Sequence, residues 1–142
     1  MSRLRPRNNE DIMIKFLTLS EVLLILEDQI RNYGGVYGVR DLNLLSSAIY
    51  VPESSFNGKY LHETIPAMAA AYTYHICQNH PFIDGNKRVA LACSLVFLDI
   101  NGYEFYCDEE LLYDKIMDVA KSEVKKDELM LFYDKYSRKR AQ

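Results

Sequence analysis

The sequence predicts an all-α single domain of about six helices packed round one buried helix, with a small β-hairpin between the second and third. Three observations carry this. Apolar residues recur at helical spacing over most of 18–136. N-capping residues stand before successive apolar stretches, and Gly-Gly or Asn-Gly follows two of them. One stretch, VALACSLVFLDI at 89–100, is apolar almost all round, as in a helix enclosed by others. The chain has 142 residues, 49% of them apolar and 26% charged, which suits one domain over 1–142 with one core.

The elements follow in order. TLSE at 18–21 is a capping box, with Thr18 as N-cap and Glu21 three residues on. Val22, Leu23, Ile25, Leu26 and Ile30 then mark the buried stripe of a first helix, which Gly34-Gly35 stops. The turn-rich GGVYGVR leads to Asp41, N-cap of a short second helix that ends near Tyr50 and Pro52. PESSFNGKY at 52–60 reads as a surface loop, and its Asn57-Gly58 dipeptide suits a two-residue hairpin turn. A long third helix starts between His62 and Pro66, with Ile65, Met68, Ala69, Tyr72 and Ile76 as its stripe. Its AMAAA run lets a neighbouring helix come close. The apolar fourth helix, expected to be the central one, ends at Asn101-Gly102. YEFYC then alternates weakly, as a short extended piece. Asp108 caps a fifth helix bearing Leu111, Leu112, Ile116 and Val119. A sixth runs from about Asp127 with Leu129, Met130, Phe132, Tyr133 and Tyr136.

Residues 1–15 and 137–142 read as peripheral tails. They hold the basic clusters SRLRPR and SRKR, solvated charge on one reading and an arm for RNA or another acidic partner on the other. The net charge of -3 gives no general reason to expect direct nucleic-acid binding. No apolar run approaches the ~20 residues needed to cross a bilayer. The arginines near the N-terminus lack the apolar core of a secretory signal. Cys77, Cys93 and Cys107 are an odd number without framework spacing, so reduced thiols and a cytoplasmic location are expected.

The densest chemistry lies between the third and fourth helices, in HPFIDGNKR at 80–88. The first turn of a helix leaves up to four N–H groups unpaired and carries about half a positive charge. Gly85 lets a backbone approach a ligand, and Asn86, Lys87 and Arg88 stand at or beside the helix start. Two cations there are disfavoured by the helix dipole, which argues for an external anion such as phosphate. Asp84 beside that anion reads in two ways: a Mg²⁺ ligand next to a nucleotide phosphate, or simply an N-cap or partner of Arg88. The imidazole of His80 suits a general base on an attacking hydroxyl. Phe82 is expected to anchor the loop in the core. A zinc site from His75, Cys77, His80 and Asp84 fits no standard ligand spacing.

HPFIDGNKR resembles the Fic/Doc signature His-x-Phe-x-Asp/Glu-Gly/Ala-Asn-x-Arg, with His80, Phe82, Asp84, Gly85, Asn86 and Arg88 at its fixed positions. NYGGVYGVRD at 32–41 is similar to a Tyr-Gly-Gly-x-x-Gly segment of the Doc (death on curing) toxin branch, and FLDING is Doc-like too. AMP-transferring Fic enzymes usually have Gly after the motif Asn and a second Arg three residues after the first. Here Lys87 and Leu91 stand there, as in the Doc branch. The resemblance implies a toxin of a type II toxin–antitoxin system: a kinase moving the γ-phosphate of ATP to a Thr or Ser hydroxyl, with elongation factor Tu the expected target. His80 would be the base, Asp84 the Mg²⁺ ligand, and Gly85, Asn86, Lys87 and Arg88 the phosphate site. Phe56, Asn57, Gly58 and Lys59 match in position a flap that docks the target. No Ser/Thr-x-x-x-Glu-Gly/Asn inhibitory pattern occurs in the chain, so the resemblance implies control by a Phd-type antitoxin. A Fic-type transferase of AMP or UMP and a binding module without catalysis are the other readings.

Overall fold

The computed structural model describes residues 13–141 and has six α-helices and two small two-stranded sheets. Helix α1 (Leu19–Tyr33) begins as its sequence dictates. Thr18 Oγ1 accepts from the Glu21 N–H at 3.2 Å, and Glu21 Oε1 accepts from the Thr18 N–H at 2.9 Å. Helix α2 (Leu42–Tyr50) is capped by Asp41, whose carboxylate accepts from the Leu44 N–H at 3.0 Å, and runs on into a 3₁₀ turn at Val51–Glu53. The hairpin follows as β1 (Ser55–Phe56) and β2 (Lys59–Tyr60), antiparallel. Asn57 and Gly58 have φ of +51° and +76°. Left-handed residues at both turn positions match the twist of the strands, and Asn-Gly suits them better than almost any other pair. The ring of Tyr60 packs on Phe16, with centroids 5.7 Å apart.

Helix α3 (Ile65–Asn79) starts at Thr64, whose hydroxyl accepts from the Ala67 N–H at 3.1 Å. Helix α4 (Asn86–Ile100) leads to β3 (Tyr103–Phe105). Asp108 caps helix α5 (Glu109–Ala120), and α6 (Lys126–Tyr136) runs straight into β4 (Ser137–Lys139). No helix among the described residues is long and apolar enough to cross a membrane.

Two details differ from the sequence reading. The most enclosed helix is α3, not α4: it packs against α2, α4, α5, α6 and the 3₁₀ turn. Residues from Pro66 to Thr73 are all buried, whereas Val96 on α4 is 37% exposed. The small residues of AMAAA explain this, because they let neighbours approach α3 from every side. An apolar sequence records affinity for a core; small side chains decide how many helices fit round one axis.

The second difference is at the C-terminal side. Residues 137–139, expected to be tail, form β4 antiparallel to β3, pairing Tyr103 with Lys139 and Phe105 with Ser137. Part of the SRKR cluster is not free charge. Arg140 pairs with Asp99 and with Glu104, the latter at 3.3 Å. The partners lie far back in the chain, so local sequence did not reveal them. Residues 13–15 also belong to the body of the domain. Ile14 is buried, and Lys15 and Asn101 exchange two hydrogen bonds, each 2.9 Å. The cluster SRLRPR lies outside the described residues.

Three hydroxyls tie α3, α4 and α6 together at the centre. Tyr133 Oη lies 2.8 Å from Thr73 Oγ1 and 2.6 Å from Ser94 Oγ. Thr73 donates to the Ala90 carbonyl and Ser94 to the Leu91 carbonyl, so Tyr133 is left as donor to one of the two. Tyr133→Phe removes that one bond and strands no donor, so it should cost about 1 kcal/mol. Tyr133→Ala empties a fully buried ring site and should cost ~3–5 kcal/mol. Urea unfolding of both variants measures the difference.

A second buried group sets acid stability. His62 is 5% exposed, and its Nδ1 and His75 Nε2 have no hydrogen-bond partner among the described residues. Burial first, and the nearby Lys126 ammonium second, lower the pKa of each from 6.5 to about 4. The folded form therefore keeps both rings neutral where the unfolded chain is already protonated. Stability from this source is complete above about pH 6.5 and is lost as pH falls towards 4, by roughly 1–2 kcal/mol per ring once solvent access is allowed for. Unfolding free energies of the native protein and of His62→Gln at pH 7 and pH 4.5 check this: the variant should lose less on acidification.

Candidate active site

The motif loop is built by two segments lying side by side. Residues 34–41, which leave α1, run antiparallel to 80–88, with a bridge between Val39 and Phe82. The Arg40 and Asp41 N–H groups donate to the Pro81 carbonyl at 2.7 and 3.2 Å, and the Ile83 N–H donates to the Gly38 carbonyl at 3.0 Å. A Cβ at Gly38 would lie 2.5 Å from Ile83 Cδ1, the tip of an exposed side chain that would have to turn aside. The Val36 N–H donates to Asp84 Oδ2 at 2.7 Å.

Each motif residue has a definable place. Phe82 is fully buried and anchors the loop, as its sequence position suggested. His80 is exposed at the C-cap of α3, in the left-handed region with φ +51° and ψ +52°. That conformation costs a non-glycine residue about 1 kcal/mol or more, so the surroundings must hold it. Asn86, only 5% exposed, exchanges two hydrogen bonds with the backbone of Phe82: its Oδ1 accepts at 2.9 Å and its Nδ2 donates at 3.0 Å. Its amide closes the loop on itself. Asn86 also lines the cavity, so its expected part in positioning phosphate would rest on its backbone N–H and on the second proton of its amide.

Gly85, at φ +80°, is the N-cap of α4, and no side chain caps that helix. The first intrahelical bond from this turn is the Val89 N–H to the Gly85 carbonyl, at 2.9 Å. The N–H groups of Asn86, Lys87 and Arg88 thus face outward at the positive end of the helix, an anion cradle. The alternative in which Asp84 caps α4 is not met, because its carboxylate turns to Val36.

Arg88 is partly engaged. Its Nη2 donates to the Gly34 carbonyl at 3.0 Å, its Nη1 reaches the Gln29 carbonyl at 3.5 Å, and its guanidinium stands 5.7 Å from the Tyr33 ring centroid. It neutralises the negative end of α1 while lining the site. A guanidinium has five N–H donors, so several remain for an anion. Lys87 is exposed.

A cavity of about 410 Å³ collects these groups, lined by Cys77, His80, residues 83–88 and Ala120. The structure thus brings together His80, Asp84, Gly85, Asn86, Lys87 and Arg88. Phe82 lies behind the cavity, and Phe56, Asn57, Gly58 and Lys59 form the exposed hairpin without lining it. Burial pushes the Cys77 thiol up to about 12 against the pull of Lys87, so it is no nucleophile at neutral pH.

A divalent cation fits the donor set in one way. Among the described residues no three His, Cys, Asp or Glu side chains converge on a metal position. Asp84 offers one hard carboxylate oxygen beside the anion cradle while Val36 holds the other. One carboxylate suits Mg²⁺, which takes its remaining oxygens from phosphate and water.

Sequence reasoning missed Arg40 and the Val36 N–H. The spaced glycines 34, 35 and 38 signalled a close backbone approach, but nothing local named its partner.

A profile of the Fic/DOC family matches residues 16–98. Toxin Doc of Mycolicibacterium smegmatis is 37% identical over 76 residues, 54% of this chain and 58% of that protein. The chain thus aligns with little more than half the length of that relative. The matched span runs from before α1 to the last turn of α4 and contains both segments of the loop, and the chain belongs to the Fic/DOC family.

Proposed function

We propose that this protein is a Doc-type toxin that acts as a protein kinase, moving the γ-phosphate of ATP to a Thr or Ser hydroxyl of a translation factor, with elongation factor Tu the expected target. The observation that carries the reading is Lys87. It lies on the cavity wall at the start of α4, between Asn86 and Arg88, where AMP-transferring relatives have Gly. Leu91, half-buried one turn on, replaces their second Arg. The cradle therefore favours a terminal phosphate over the embedded α-phosphate.

In this reading His80 takes the proton of the target hydroxyl as the oxygen attacks the γ-phosphorus. The bond from that phosphorus to the β-bridging oxygen breaks, and ADP leaves. The first-turn N–H groups of α4 and the charges of Lys87 and Arg88 stabilise the oxygens that gain charge. Asp84 would hold Mg²⁺, which supplies charge neutralisation between the phosphates when bound. The hairpin at Ser55–Tyr60, with Phe56 exposed, is suited to docking an extended target segment. A small Phd-type antitoxin is the proposed regulator in trans, and its action with that of the toxin would take place in the cytoplasm.

Incubating the protein with the purified translation factor and ATP labelled at the α- or the γ-phosphate tests this. Label should pass to the factor from the γ-position only; transfer from the α-position would make the protein an AMP transferase. His80→Ala should lower the rate by ~10²–10⁴-fold. Asp84→Asn keeps an oxygen for the Val36 N–H but loses the charge. It should lower activity by ~10–100-fold, with partial recovery at high Mg²⁺.

A further inference from the structure

His80 sits in a conformation that its own residue type disfavours, and the α3 C-terminus that presents it has a second occupant. Arg40 Nε donates to the His80 carbonyl at 2.8 Å, and Arg40 Nη2 donates to the Asn79 carbonyl at 3.1 Å. The last carbonyls of a helix are its negative end, where a guanidinium is favoured. The fork spans two successive carbonyls, a geometry that fixes their relative direction and therefore the backbone angle between them. Arg40 is itself anchored, since its backbone N–H donates to Pro81 at 2.7 Å. Both ends of the residue thus grip the stretch from Asn79 to Pro81. Arg40 does not line the cavity.

We infer that Arg40 is a positioning residue for His80: its fork across the Asn79 and His80 carbonyls holds His80 left-handed and so aims the imidazole at the hydroxyl to be phosphorylated. This rests on the reading of His80 as general base. Without the fork the backbone at 80 relaxes towards ordinary helical or extended angles, and the ring leaves its line of attack. The cradle stays intact, because Asn86, Gly85 and the Val36–Asp84 bond do not involve the Arg40 side chain.

The test compares Arg40→Ala and Arg40→Lys with the native protein. In Arg40→Ala, kcat should fall by ~10–100-fold while KM for ATP changes less than about 2-fold, as expected for a misplaced base. Arg40→Lys should recover only part, because an ammonium lacks the planar fork. In the His80→Ala background, Arg40→Ala should cause no further loss, since both act through one group. Backbone couplings of ¹⁵N,¹³C-labelled protein read φ at residue 80 independently of activity: positive in the native protein, negative or averaged in Arg40→Ala. An unchanged kcat in folded Arg40→Ala, an equal rise in KM, or a positive φ retained in that variant would overturn the inference. If the native protein transfers no phosphate, the kinase reading fails by itself, and the couplings still decide whether Arg40 holds His80.

Discussion

The antiparallel contact between 34–41 and 80–88 is the constraint on which the rest of the site depends. It is short, and most of its bonds are made by backbone groups, yet it holds Asp84 and Arg88 on the cavity wall and the backbone that carries His80. Val36 fixes Asp84, Gly38 fixes Ile83, Arg40 and Asp41 fix Pro81, and Gly34 receives Arg88. A loop paired along its length loses little further entropy when a ligand arrives, which is how a site held outside regular sheet can be preorganised. The glycines supply the means. At Gly35, where φ is +110°, a Cβ would press on Asp84 Cβ at 3.1 Å.

Within the loop, stabilising and ligand-binding groups are divided between side chain and backbone. Asn86 turns its amide inward to close the 82–86 turn, and Phe82 fills the core behind it. That leaves the N–H groups of α4's first turn uncapped. Most helices satisfy this end with a Ser, Thr, Asp or Asn side chain, as α1, α2, α3 and α5 do here. Helix α6, which does not line the cavity, also lacks a side-chain cap. Helix α4 presents its N-terminus to the cavity, and it begins at a glycine. The dipole is thereby left open to an anion, and the nearby cations, unfavourable for the helix alone, become favourable once the anion is present.

Much of the fold was legible because its signals are local. The capping box at Thr18, the caps at Asp41 and Asp108, the Asn57-Gly58 turn and the apolar stripes each report on a few adjacent residues. The structure places the elements close to where they point. The C-terminal strand was not legible: SRK has no strand signature of its own and pairs only because α6 delivers it to Tyr103–Phe105. The rank of α3 over α4 was hidden for a similar reason. Hydrophobicity is written in each residue, but the number of helices that can gather round one is a property of the assembled packing.

At the site, the sequence by itself determined the chemistry available: an imidazole, a carboxylate, a glycine at a helix start and two cations within nine residues, in a pattern specific enough to indicate the family. Only the tertiary structure decided which of those groups face a ligand. It committed the Asn86 amide to the Phe82 backbone, engaged part of Arg88 at the end of α1, and brought Arg40 from forty residues upstream onto the His80 carbonyl. The physical reason is that a hydrogen bond needs its donor and acceptor within about 3 Å. Those partners are set by which segments lie together in the folded chain, not by which are adjacent in sequence.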